Sequence, residues 1–98
     1  MKELSIEQRK FLKATAHSLK PVVMIGAHGL TEAVIKEAGV ALAAHELIKV
    51  RVLGDDRAAR EAWFKELCVA LDAAPVQHIG KLLLLYRPAD KPKLKLPG

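Results

Sequence analysis

Val22-Val23-Met24-Ile25-Gly26-Ala27-His28-Gly29-Leu30-Thr31-Glu32 reads as a strand, a tight turn and the start of a helix. The run to Ile25 is apolar, rich in β-branched residues and free of polar alternation, which predicts a strand covered on both faces. Thr31 is a suitable N-cap, and Glu32 adds favourable charge in the first helical turn. A glycine at each end of a four-residue turn opens dihedrals closed to other residues and removes side chains from its surface. The helix that follows points free N–H groups and the positive end of its dipole back at the turn. In a basic chain this arrangement suggests a clamp on a sugar-phosphate backbone, with Gly26 and Gly29 admitting it and the Ala27, His28 and Leu30 N–H groups meeting phosphate. Thr31 would order the helix start and offer its hydroxyl. No Lys-Ser/Thr pair follows Gly29, and the G-x-G spacing is missing, so neither a Walker loop nor a dinucleotide fingerprint is present.

Working outward, Ser5-Ile6-Glu7-Gln8 has the form of a capping box and starts a first helix, which ends before Lys20-Pro21. Ile6, Phe11, Leu12, Thr15, Ala16 and Leu19 form its inner side; Lys10, Lys13 and His17 share an outer face. A second helix spans about Thr31 to Ala44, with Ala33, Val34, Ala38, Ala41 and Leu42 inward and Gly39 permitting close packing on the sheet. Leu47 to Leu53 alternates as a strand. Gly54-Asp55-Asp56 turns into a third helix over about Arg57 to Asp72, capped by Asp55 or Asp56, whose inner side is read as Ala59, Ala62, Trp63, Leu67, Ala70 and Leu71 with Glu66 at the margin. Val76–Ile79 and Leu82–Tyr86 flank Gly80-Lys81 as a hairpin with a II′ turn. The order α-β-α-β-α-β-β, with right-handed crossovers, gives an α/β two-layer sandwich on a four-stranded mixed sheet.

The chain has 98 residues, enough for one domain, and half of them are apolar. Its net charge is +5, concentrated at the ends. Residues 1–20 carry five Lys/Arg against two Glu, 21–86 seven against eight Asp/Glu, and 87–98 four against one. Such blocks attract anionic polymers. No run approaches the ~20 apolar residues of a membrane span, and no secretory signal opens the chain, which predicts a cytoplasmic protein. The single Cys68 excludes an internal disulfide. The four histidines lack metal-ligand spacing, so no cofactor or metal is expected. No nucleophile-base pair stands out, so no enzymatic activity is expected.

Leu19-Lys20-Pro21-Val22-Val23, Ile25-Gly26-Ala27-His28-Gly29-Leu30-Thr31-Glu32, His45-Glu46-Leu47-Ile48-Lys49-Val50, Val76-Gln77-His78-Ile79-Gly80-Lys81 and Leu85-Tyr86-Arg87-Pro88 occur in this order over nearly the whole chain. Together they resemble the bacterial YhbY family, the single-domain form of the CRM (chloroplast RNA splicing and ribosome maturation) domain. The resemblance implies a fold related to the C-terminal domain of translation initiation factor three. It also implies RNA binding through the glycine loop, as in KH domains, and association with precursors of the large (50S) ribosomal subunit. On that reading residues 1–87 are one RNA-binding domain and 88–98 a basic Pro/Lys tail that adds non-specific attraction.

Ala27-His28 stand where many such loops carry Lys or Arg, so nearby Lys10, Lys13, Lys20 and Arg87 are expected to supply charge. Lys10, Lys13 and His17 gain a binding role if helix 1 packs beside the loop, which the close Lys20-Pro21 connection permits. Lys49 and Arg51 either protect a strand's polar side or line a basic sheet surface. With four aromatic residues in the chain, shape and phosphate recognition outweighs base reading. Trp63 is assigned to the core. Replacing Gly29 with Asp is expected to weaken RNA binding and leave the fold largely intact. The competing reading is an adaptor that docks on a ribosomal protein through its sheet or tail.

Overall fold

A computed structural model describes residues 3–97. Seven elements follow in the expected order: α1 (Ile6–Ala16), β1 (Val23–Ile25), α2 (Glu32–His45), β2 (Leu47–Val52), α3 (Arg57–Leu71), β3 (Ala74–Ile79) and β4 (Leu82–Tyr86). Local chemistry sets their ends. The Gln8 N–H donates to Ser5 Oγ at 3.1 Å while Gln8 Oε1 accepts the Ser5 N–H at 3.0 Å, closing the capping box. Thr31 and Asp56 cap α2 and α3 by accepting the Val34 and Ala59 N–H groups. Gly80 has φ +57° while Lys81 stays at negative φ, as a II′ turn requires.

The sheet order is β1-β2-β4-β3. β1 runs parallel to β2, and β4 is antiparallel to both β2 and β3. The final strand therefore inserts between two earlier ones, which explains its unbroken Leu82–Leu85 run: Leu83 and Leu85 face one core, Leu84 and Tyr86 the other. On the first face, α2 and α3 cover Val23, Ile25, Ile48, Val50 and Val52. These are the two layers expected from the sequence. Helix 1, which the sequence did not place on a face, packs on the opposite side through Leu12 and Ala16, over Leu47, Val76, Leu84 and Tyr86.

Several expectations are corrected. β1 is covered on one face only, because α1 packs on β2, β3 and β4, and Met24 on its other face is 53 % exposed. Ile6, at the first turn of α1, points to solvent, and Ala33 is exposed where Ile35 packs inward. Gly39 serves helix–helix packing: a Cβ there would meet Leu71 Cδ2 at 3.2 Å. Leu67, Trp63 and Leu71 of α3 pack on the core as expected, joined by Arg60, Phe64 and Cys68, while Ala62, Glu66 and Ala70 are exposed. β3 begins two residues early, at Ala74, and carries Pro75 next to a register irregularity; an edge strand tolerates a proline because its outward N–H has no partner to lose.

Glu46, at the α2–β2 junction, was not singled out from the sequence as a structural residue. It is 1 % exposed and has φ +65°, a conformation costing a side-chain residue about 1–3 kcal/mol. Its carboxylate accepts the N–H groups of Ala89, Lys93 and Leu94 at 2.8, 2.7 and 3.1 Å, and its carbonyl accepts that of Arg87 at 2.8 Å. Residues 88–97 form no helix or strand, yet this clasp ties them down and Leu94 and Leu96 pack on the α1 core. Burial alone would raise the Glu46 carboxyl; the three N–H donors and the Lys93 charge outweigh it and hold it below its ordinary range. A carboxyl depressed in the folded state contributes stability that is complete above its unfolded pKa and is lost as pH falls through its folded pKa. Protection of the Lys93 and Leu94 amides, measured by hydrogen exchange, is therefore expected to hold at neutral pH and to fail only on acidification through the lowered Glu46 pKa, below the ordinary glutamate range. Glu46→Gln should lower it at pH 7; equal protection in the variant would show that the carboxylate does not secure the segment.

Candidate nucleic-acid interface

The parallel pairing of β1 with β2 puts the turns after both strands at the same end of the sheet. Gly26–Thr31 leads into α2, and Gly54-Asp55-Asp56 leads into α3, so two helix N-termini open side by side. A groove runs between these turns, with Ala27 and Gly26 on one bank, Asp55 and Asp56 on the other, and Trp63 in its lining.

The glycine loop is a closed turn: the Gly29 N–H donates to the Gly26 carbonyl at 3.0 Å. The Ala27, His28 and Leu30 N–H groups make no hydrogen bond among the described residues. Ala27 and His28 are exposed; the Leu30 side chain packs on the core beneath. Thr31 Oγ1 is used as an acceptor by the cap, which leaves its hydroxyl proton available. The loop thus offers unspent donors at a helix start, the arrangement that suits an anion.

The two glycines do different work. Gly29 is buried, has φ +74°, and lies against the indole of Trp63; a Cβ on it would stand 2.8 Å from Cζ2. Trp63 is consequently the floor of the loop, half-buried with its side chain packed against the core that holds Phe64, Leu67 and Cys68. The expectation that Gly29→Asp would spare the fold is overturned by that contact and that dihedral. Gly26, by contrast, has open space where a Cβ would sit and no positive φ. Nothing inside the protein requires a glycine there.

The other expected site residues do not gather at the loop. Lys20 precedes β1 and Arg87 follows β4, which pairs Tyr86 with Leu47, so both lie at the opposite end of the sheet. The Arg87 guanidinium is spent on backbone carbonyls, donating to Leu71 at 2.8 Å and Gly39 at 3.3 Å. It ties α3 to α2. Lys10 and Lys13 sit on α1, on the sheet face away from α2, and α1 packs on β2, β3 and β4 instead of beside the loop. Lys49 Nζ donates to the Leu19 carbonyl at 2.9 Å and anchors the α1–β1 connection.

At the loop end the cations are partly committed. Lys81 pairs with Asp55 at 3.0 Å, and a hydrogen bond from it holds the Asp55 carboxyl below its usual range. Arg60, 7 % exposed, donates to the Gly54 carbonyl at 2.9 Å and braces the β2–α3 turn. His78 hydrogen-bonds the Glu61 carboxylate and holds its pKa down. Burial pushes the Cys68 thiol up to about 12, so it has no nucleophilic role at neutral pH. Among the described residues, no three His, Cys, Asp or Glu side chains could hold a metal ion, and no helix is long and apolar enough to cross a membrane.

Residues 4–87 match the model of the CRS1/YhbY (CRM) domain. A Haemophilus influenzae protein named "RNA-binding protein" is 48 % identical over 97 residues, which cover 99 % of this chain and 98 % of that protein. The probable RNA-binding protein YqeI of Bacillus subtilis is 34 % identical over 95 residues, covering 96 % and 99 %. The solution structure of the hypothetical protein SAV1595 from Staphylococcus aureus superposes with a TM-score of 0.84 at 32 % identity, covering 96 % of this chain and 99 % of that one.

The asymmetry of the two glycines is testable by urea unfolding. Gly26→Ala should stay within about 0.5 kcal/mol of wild type. Gly29→Ala should lose about 2 kcal/mol or more, from the left-handed backbone and the indole clash together. Equal midpoints for the two variants would contradict the assignment.

Proposed function

Because this chain belongs to the CRS1/YhbY (CRM) domain family, we propose that it is an RNA-binding protein that grips the sugar-phosphate backbone at the Gly26–Thr31 loop. The observation that carries this reading is the pairing of unspent amides with an unneeded glycine. Ala27, His28 and Leu30 leave three N–H groups without an acceptor among the described residues at the start of α2. Gly26 lacks a side chain where the fold would accept one, which keeps the approach to those donors clear. Binding of this kind needs no chemistry beyond hydrogen bonds and charge.

Across the groove, the Asp55 and Asp56 carboxylates are offset by Lys81, which pairs with Asp55, and by Arg60 in the same lining, so the α3 bank offers a polyanion little net charge. The names of the relatives support RNA as the class of partner. The finer assignment, precursors of the large ribosomal subunit in the cytoplasm, rests on the family resemblance.

The decisive variant is Gly26→Asp, which adds a carboxylate at the loop without an internal clash. It should lower affinity for RNA roughly tenfold in an electrophoretic shift assay while circular dichroism and the urea midpoint stay near wild type. Unchanged affinity in the folded variant would refute the loop as the grip. Binding by the wild-type protein should fall steeply with salt as counterions are released. Association in cell extract that survives nuclease would instead support docking on a protein. The lone Trp63, lying under Gly29, should change its fluorescence when the loop is occupied.

A further inference from the structure

On the α1 face of the sheet, α1 and the 88–97 segment cover the Leu47–Tyr86 end and leave the loop end bare. The strand register lines up four side chains across that bare end. Met24 stands opposite Arg51, Arg51 opposite Leu82, and Leu82 opposite Ile79. Their chain neighbours Val23, Ile25, Val50, Val52 and Leu83 face the α2/α3 core, so these four face outward. Met24 and Ile79 are 53 % and 52 % exposed. Three inter-strand steps make the row about 14 Å long.

Arg51, in the middle of this aliphatic row, makes no hydrogen bond or ion pair among the described residues. Its neighbours in the strand pattern differ: Lys49 is tied to the Leu19 carbonyl. The row also begins where the loop does, since Met24 lies two residues before Gly26. Lys10 and Lys13 of α1 are on this same side of the sheet.

We propose that the Met24–Arg51–Leu82–Ile79 row is a second contact surface for single-stranded RNA, taking the nucleotides that continue from the strand gripped at the loop. The proposal rests on the RNA-binding reading above and extends it. Charge favours RNA here: Lys81 and Arg60 on the α3 side are committed to Asp55 and the Gly54 carbonyl, whereas the Arg51 guanidinium has no partner among the described residues. A guanidinium plane stacks on an unstacked base, and the flanking aliphatic side chains supply a dry floor for the neighbouring base or ribose. A duplex keeps its bases stacked and has no exposed base face to lay on the row.

The test uses the full chain, oligouridylates of four and nine nucleotides, and fluorescence anisotropy. Four nucleotides fill the loop alone. Arg51→Ala should leave the four-mer affinity unchanged and reduce the nine-mer affinity about tenfold. In protein labelled with ¹³C at the methionine methyls, the Met24 resonance should move with the nine-mer and stay still with the four-mer. If Gly26→Asp weakens both oligomers while Arg51→Ala changes neither and Met24 does not respond, the loop reading stands and the row proposal is overturned. If the wild-type protein binds neither oligomer, both fall. A Met24 resonance that ignores RNA but broadens in nuclease-treated extract assigns the row to a protein partner and also overturns the proposal.

Discussion

The parallel register of β1 on β2 is the constraint on which the rest is arranged. Two parallel neighbours need a crossover between them, and a right-handed one lays α2 on a single face. Their turns then share one end, so the glycine loop and the α3 cap become neighbours without any long connection. Everything proposed for the surface follows from that: an amide-rich turn, a groove between it and the α3 cap, and an uncovered stretch of sheet on its other flank.

Much of the architecture was legible because local rules and the tertiary packing agree. Ser5 and Gln8, Thr31, Asp56 and Gly80 each solve a backbone problem within four residues, and each does in the structure what the sequence pattern predicts. The alternating Ile48-Lys49-Val50-Arg51-Val52 run gives its strand the same clarity. On α3 the hydrophobic pattern finds Trp63, Leu67 and Leu71 but passes over Phe64 and Arg60. Arg60 is buried by its bonds to the Gly54 carbonyl and His78, a long-range arrangement that periodicity does not encode.

The candidate site was legible as a loop but not as a constellation. Gly26 to Thr31 are contiguous, so spacing alone assembles them. Lys20 and Arg87 were grouped with the loop on charge, and strand polarity separates them from it. Arg87 resembles a free basic residue in the sequence; only the meeting of α2 and α3 at Gly39 and Leu71 turns it into a backbone tie. Glu46 had no sequence signal beyond being a lone acid between an alanine-rich helix end and an apolar strand. Arg51 could be read either way until the register set it between Met24 and Leu82.

The late position of β4 has a consequence for how the molecule comes into being. While the polypeptide is being synthesised, β1 and β2 can pair early, but β2 then carries a bare hydrogen-bonding border until residues 82–86 arrive to fill the centre of the sheet. Such a border is a template for mispairing with other nascent chains. Loss of residues 82–86 would reopen that seam, and the Glu46 clasp fastens Ala89, Lys93 and Leu94 beyond the strand that seals it.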